Sequence, residues 1–349
     1  MYINGKQRHV FQWHITHMCN MRCRHCYQDD YQNSMPRDQL YGVLDKYTEY
    51  VESNNFFGQI NLTGGEPLLH PDFFSLVQEI KRRGFRLGIL TNGTLIDSQV
   101  ADRLHDLYPV FVQISLDGTH WQHDAIRGRG AFRQSLKSIC LLKERGIRVL
   151  VSFTAQKHNL KSFKSLARIC NHYKVDKLWW DRVVTDNPED YLKLALSTEE
   201  FQHFLVYNLR LEQKYRRPDG MSMISNQRSL QFLGCIPEKD GYICSAGKTL
   251  FAVLADGSVM PCRRLPFVIG NILESDFQSI LNNSDVMNEL LKDGYPDGCE
   301  GCIYYHRCRG GAKCITYGQK GKLNAKDPNC FVEQSAVYSV SRLIDSLDW

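Results

Sequence analysis

The chain has 349 residues, 43% hydrophobic and 23% charged, enough apolar material for one large or two ordinary folded domains. Its 43 Lys and Arg against 38 Asp and Glu leave a charge of +5, too slight a bias at this length for a nucleic-acid footprint, and nothing requires an acidic partner. Thirteen cysteines, an odd number, exclude a fully paired secreted framework; residues 1–17 hold no signal-peptide core, and no apolar run nears membrane-spanning length. The expected setting is therefore the cytoplasm, with no membrane partner, where clustered thiols stay reduced and hold metal or do chemistry.

In chain order, short β-rich runs alternate with longer amphipathic stretches. Strands are predicted at Phe11 to Thr16, Gly58 to Thr63, Phe85 to Thr91, Val110 to Leu116, Ile147 to Thr154 and Lys177 to Val184. Between them apolar residues recur at helical spacing, as in Phe73, Phe74, Val77 and Ile80, behind start signals such as His70-Pro71-Asp72 and Asp97-Ser98. Six β-then-α units imply a parallel sheet covered by helices, an α/β barrel or an open, partial (β/α)6 barrel of TIM type, with its active site at the C-terminal strand ends. Arg216-Arg217-Pro218-Asp219-Gly220 marks a break after a helix, so a first domain is expected over 1–220 and a cysteine-rich one over 221–349. In the second, Asp256-Gly257 between Leu250 to Leu254 and Val259-Met260 predicts a β-hairpin.

Motifs with chemical potential follow the first four strands. Cys19, Cys23 and Cys26 follow the first, Gly64-Gly65-Glu66-Pro67 the second, Thr91-Asn92-Gly93-Thr94 the third, and Ser115-Leu116-Asp117-Gly118 closes the fourth. Three thiolates on one loop can hold three irons of a 4Fe-4S cluster and leave the fourth open; the alternative is a zinc loop completed by His14, His17 or His25. Each other motif also has a plainer reading. Glu66 can cap the helix after Pro67, Arg127 can be a solvated loop charge, and Asp117-Gly118 can be only a turn.

The triplet, with His25 before its last cysteine, resembles the Cys-x3-Cys-x-aromatic-Cys motif of the radical S-adenosylmethionine (radical SAM) enzymes. The resemblance implies that the SAM amino and carboxylate groups chelate the open iron and that an electron from the cluster cleaves SAM to methionine and a 5'-deoxyadenosyl radical. It further implies that Gly64, Gly65 and Glu66 hold the amino group, that Ser115 and Arg127 meet the ribose or carboxylate, and that Thr91 and Asn92 line the same pocket. An Arg fork suits a carboxylate, and glycine permits close backbone approach.

Eight further cysteines fall between Cys235 and Cys330, in a pattern that resembles the SPASM extension of peptide- and protein-modifying radical SAM enzymes, with two auxiliary 4Fe-4S clusters. By that resemblance Cys299, Cys302, Cys308 and Cys330 hold one cluster and Cys235, Cys244, Cys262 and Cys314 the other. The gap before Cys314 is five residues where the family has three, and the Cys235 to Cys244 gap is irregular; without Cys235 that cluster keeps an open iron. Read without the resemblance, the same spacings suit two zinc knuckles. Cys140 and Cys170, on helical patterns beside apolar residues, are expected to be core thiols.

The resemblance implies a small SPASM domain with a hairpin, short helices and a C-terminal helix, and a maturase that crosslinks, epimerises or excises within a ribosomally made precursor peptide. Related members oxidise a Cys or Ser of sulfatases or process tetrapyrrole side chains, and the alternative from another class is a non-enzymatic iron-sulfur or zinc-structured binding protein. A reducing flavodoxin or ferredoxin is an implied partner. Because the triplet begins at Cys19, leader-peptide recognition is expected from a separate small protein or from the SPASM surface. Trp179, Trp180, Asp181 and Arg182 are candidate substrate contacts at the sixth strand end, as are Tyr304, Tyr305, His306 and Arg309 among the auxiliary ligands. Asp117, Asp181 and His123 are the candidate acid-base groups, with Asp117 and Asp181 preferred as catalytic residues.

Overall fold

The computed structural model describes residues 2–184, 188–225, 243–302 and 304–331. Its strands are β1 (Tyr2–Ile3), β2 (Lys6–His14), β3 (Phe57–Thr63), β4 (Arg86–Thr91), β5 (Phe111–Ser115), β6 (Val149–Ala155), β7 (Lys177–Arg182), β8 (Ile224–Ser225), β9 (Leu250–Val253), β10 (Ser258–Met260) and β11 (Gly270–Asn271). Its helices are α1 (Arg37–Ser53), α2 (Phe73–Arg82), α3 (Ser98–Asp106), α4 (His120–Arg127), α5 (Ala131–Glu144), α6 (Phe163–His172), α7 (Pro188–Leu194), α8 (Thr198–Lys214), α9 (Phe277–Asn282), α10 (Asp285–Leu291), α11 (Tyr305–Cys308) and α12 (Lys313–Lys320). The six expected strands are β2 to β7, and the expected hairpin is β9 and β10. Cys235 and the expected C-terminal helix lie outside the described residues.

The chain divides into two compact units, the first made of Met1–Ser115, Asp124–Leu150 and Ser245–Lys292. Its strands follow the order β11-β10-β9-β2-β3-β4-β5, with β1 antiparallel on β2. Strands β2 to β5 are parallel and in a register that pairs His14 with Thr63 and Thr91 with Ile114, so their C-terminal ends share one edge. The hairpin strand β9 joins the other side of β2 in parallel, Phe251 opposite Phe11. The turn between β9 and β10 needs its glycine: Gly257 has φ +85°, and a Cβ there would stand 2.5 Å from the Asn271 side-chain oxygen.

Aromatic packing explains why β9 belongs to this sheet. Phe11, Trp13, Tyr47, Phe251 and Phe277 are all buried; Phe251 stacks on Phe277 with centroids 4.6 Å apart and Phe11 meets Tyr47 at 4.7 Å. Tyr47 comes from the apolar stripe of α1, with Leu40, Val43, Leu44 and Val51. His9 lies in the same cluster, where burial pushes its imidazole down to about 3, so it packs as a neutral ring.

The second unit comprises Leu116–His123, Val151–Cys244 and Asp293–Trp349. It carries most of β6, then β7 and β8, in the order β6-β7-β8, with Leu178 of β7 opposite Ile224 of β8 in a parallel pair. Trp180 points inward against Phe204 at 4.7 Å while Trp179 is half-buried, the alternation a strand imposes. Helix α8 opens on a capping box of Ser197 and Glu200 and stops at Lys214, followed by the turn in which the Gly220 N–H donates to the Arg217 carbonyl.

Candidate active site

The thiol triplet sits on the loop that leaves β2, and the loop is fastened from three sides. Gly65 N–H donates to the Thr16 carbonyl and Glu66 N–H to that of Met18, both at 2.8 Å. A Cβ on Gly65 would lie 2.4 Å from the Met18 carbonyl oxygen and one on Gly64 equally close to that of Thr16, so the glycine pair is a matter of close approach. Asn20, inside the triplet, accepts from the Asn92 amide at 2.9 Å and donates to Thr94 Oγ1 at 2.8 Å. On the third side the Arg24 N–H donates to the Ile126 carbonyl at 3.0 Å, and the Arg127 guanidinium stands 3.7 Å from Cys23 Sγ.

Cys19 carries the mark of gathered thiols. Burial pushes it up to about 11, and negative charge on Glu66, Cys23 and Cys26 adds to this against the Met21 N–H that donates to its sulfur at 3.4 Å. Three thiols on one loop, two of them felt electrostatically by Cys19, suit a group that supplies iron and displaces the protons. Of the histidines considered for zinc, His17 pairs with Asp30 at 2.9 Å, His14 is buried and held neutral by burial first, and His25 is half-buried. Among the described residues no three His, Cys, Asp or Glu side chains converge on a single-ion site.

Glu66 is the electrostatic centre of the neighbouring strand ends. It is fully buried; Oε1 accepts from Thr91 Oγ1 at 2.7 Å and from the Leu68 N–H at 3.3 Å, and Oε2 accepts from the Asn92 N–H at 2.9 Å. Burial outweighs those donors and lifts its carboxyl to about 7. Glu66 thus does cap the 3-10 turn Pro67–Leu69, but two of its three bonds join β4 to the mouth. Ser115 ends β5 half-buried, and Ser135 of α5 donates to the Asn92 carbonyl at 2.9 Å.

Asp117 and His123 are both fully buried, with the Asp117 N–H donating to His123 Nδ1 at 3.2 Å. The Asp117 carboxylate accepts from the Thr154 N–H at 2.8 Å and its carbonyl from Asn159 Nδ2 at 3.1 Å. Asp181 accepts from the Arg182 N–H at 3.0 Å. Arg182, a candidate substrate contact from the sequence, turns instead to Asp327 in a buried two-bond fork at 2.7 and 2.8 Å. Tyr305 is engaged likewise, donating to the Gly294 carbonyl at 2.8 Å and packing on Tyr295 at 4.2 Å. Tyr304 precedes α11, Arg309 ends it with φ +47°, and His306 is exposed.

Four auxiliary thiols gather in the second unit. Burial first, then charge on Cys330 and Cys302, raises Cys299 to about 11; burial, Asp327, Cys330 and Cys299 raise Cys308 to about 12. That mutual repulsion fits an iron-sulfur site as it does in the triplet. Of the other four, Cys244 and Cys314 belong to the second unit and Cys262 to the first. Arg263, next to Cys262, donates to the Tyr27 carbonyl at 3.0 Å and lies over its ring at 4.4 Å, tying that cysteine's loop to the residue after Cys26. Cys170 is buried on α6, as expected, and Cys140 only half-buried on α5.

A parallel α/β sheet whose strand ends present a three-thiol loop and a glycine-edged carboxylate, on a chain that carries a further thiol group in its second unit, defines an iron-sulfur enzyme. Residues 13–169 match the radical SAM superfamily and residues 244–303 the iron-sulfur cluster-binding domain SPASM. The chain belongs to the radical SAM superfamily: it is a radical SAM enzyme with a SPASM domain, its parallel sheet that of the family's partial barrel. It is 25% identical over 92% of its length to the AdoMet-dependent heme synthase of Nitratidesulfovibrio vulgaris, covering 91% of that protein. It is 28% identical over 91% of its length to the mycofactocin maturase MftC of Mycobacterium tuberculosis, covering 81% of it. Among solved structures, Streptococcus suis SuiB bound to precursor peptide SuiA matches with a TM-score of 0.73 and 16% identity, over 94% of this chain and 76% of that one.

Proposed function

We propose that this enzyme matures a ribosomally made peptide, abstracting hydrogen from it to crosslink, epimerise or excise within it. The reading is supported by one three-thiol loop and a separate auxiliary thiol group on one chain, together with 28% identity over 91% of its length to a named peptide maturase. Cys19, Cys23 and Cys26 would hold the iron-sulfur cluster, which together with SAM would supply radical hydrogen-abstraction chemistry. The chain's own residues bind and orient. Glu66 receives the SAM amino group at the glycine edge of Gly64 and Gly65, and Thr91 and Asn92 fix the carboxylate of Glu66 by donating to it. Arg127, 3.7 Å from Cys23 Sγ, is placed to fork a carboxylate beside that loop, with Ser115 toward the ribose. Cys299, Cys302, Cys308 and Cys330 would hold one auxiliary cluster; Cys235, Cys244, Cys262 and Cys314 would be the ligands of another. Asp117 and Asp181 are the candidate acids, and a flavodoxin or ferredoxin is the proposed reductant.

A second reading, processing of an iron tetrapyrrole, draws on heme synthases that match 92% of this chain at comparable identity. One experiment separates the two. The anaerobically reconstituted enzyme, given SAM and reductant, is supplied with a co-expressed precursor peptide or with an iron coproporphyrin. A mass change in the peptide accompanied by 5'-deoxyadenosine supports the proposal, and haem formation with an unmodified peptide overturns it.

A further inference from the structure

Asp327 stands three residues before Cys330 and is 1% exposed, its partner Arg182 4%. Arg182 Nη1 donates to Asp327 Oδ1 at 2.7 Å and Nη2 to Oδ2 at 2.8 Å, and Nη1 also donates to Asn329 Oδ1 at 2.7 Å. The N–H groups of Ala312 and Asn329 donate to the same carboxylate at 3.3 and 3.0 Å. The Cys330 N–H donates to the Asp327 carbonyl at 2.9 Å, and a Cβ on Gly311 would lie 2.4 Å from Asp327 Oδ2. One buried carboxylate therefore touches the backbone that follows Cys308 and the turn that carries Cys330.

A buried ion pair gains little over apolar packing unless its geometry does something else. Here the cation comes from the C-terminal end of β7, beside Asp181, and the anion from a ligand turn of the four-thiol group. We infer that Arg182 is a positioning residue for the auxiliary cluster, its fork on Asp327 fixing the Cys308 and Cys330 segments and its charge balancing the carboxylate so as to set that cluster's reduction potential. The inference rests on the reading that Cys299, Cys302, Cys308 and Cys330 hold a cluster. Reduction adds negative charge to a cluster, and nearby net charge and hydrogen bonds tune its potential. Removing the carboxylate while the permanently charged Arg remains favours reduction; adding a second carboxylate opposes it.

The test is a redox titration of the reconstituted holoenzyme followed by electron paramagnetic resonance. Cys302→Ala first identifies which signal belongs to the four-thiol group; if no signal is lost or altered, the ligand reading fails and the inference with it. With the signal identified, Asp327→Asn is expected to raise its midpoint and Asn329→Asp to lower it, each by at least a tenfold change in the one-electron equilibrium, 59 mV. Arg182→Lys keeps the charge and is expected to stay within that interval of the parent. A purely mechanical role gives no such opposition of sign. Midpoints unmoved, or moved against the sign of the charge change, in either isosteric variant that retains the signal overturn the inference; a variant that loses it leaves the decision to the other, and loss in both equally overturns a charge role.

Discussion

Glu66 is a buried acid whose carboxyl sits near 7 because burial outweighs three donors. Between its ordinary value of 4.5 and about 7 the folded chain keeps a proton that the unfolded chain has released, so this group's contribution to stability falls as pH rises across that window and is level above it. Receipt of an ammonium group needs the carboxylate, so SAM affinity is expected to fall about tenfold per pH unit below about 7, once the proton must be expelled. Glu66→Gln should flatten that slope and weaken binding by about 1.5–3 kcal/mol, the worth of a charged hydrogen bond. Calorimetric titration with SAM from pH 5.5 to 8.5 checks both. Gly65→Ala drives a Cβ into the Met18 and His17 carbonyls, 2.4 and 2.6 Å away, and is expected to cost about 1–3 kcal/mol with loss of iron from the triplet loop. Thermal unfolding and iron analysis read that outcome. At this scale the sequence shows Glu66, Thr91 and Asn92 well, because their residue types recur at successive strand ends. Asn20 and Arg263 were invisible, since their partners lie 72 and 236 residues away and nothing local marks them.

At the scale of elements, β9 is the informative strand. Its alternation and the Asp256-Gly257 turn make the hairpin legible, but parallel pairing with β2 joins segments far apart in sequence, and no local pattern names that edge. The aromatic residues of β2, α1, β9 and α9 share one core, so the first unit draws on residues 245–292 as much as on the barrel strands. Phe251→Ala is expected to cost about 3–5 kcal/mol, measured by denaturant unfolding. A chain cut after residue 220 loses Phe251 and Phe277 and uncovers the edge of β2; it is expected to be insoluble or unfolded, whereas recovery of a cooperatively melting 1–220 fragment would show that the first domain stands alone. The helix starts tell a similar story. Asp97 caps α3 as its position suggests, but Asp72 makes no side-chain cap on α2, and His70 receives the Asp72 N–H at 3.1 Å instead.

For the whole molecule, the thirteen cysteines separate by environment: a triplet on the β2 loop, four thiols gathered in the second unit, two on helices, and the remaining four divided between units or outside the described residues. Enzyme class was legible because three thiols, two glycines and an acid fall at successive strand ends in register. Substrate was not, because the residues that distinguish peptide from tetrapyrrole are contacts with a molecule the sequence does not contain, and Arg182, one of the four candidates at the sixth strand end, is bonded to Asp327. No helix among the described residues is long and apolar enough to cross a membrane. The three proposed clusters would give about eleven to twelve irons per chain after anaerobic reconstitution, and Cys302→Ala is expected to lower that count. The most direct measurement is mass spectrometry of a precursor peptide incubated with that reconstituted enzyme, SAM and reductant, with 5'-deoxyadenosine quantified in the same sample. The expected result is a modified peptide and matching 5'-deoxyadenosine, both abolished by Cys23→Ala; SAM cleavage with an unaltered peptide and an altered iron tetrapyrrole, or no SAM cleavage at all, would contradict it.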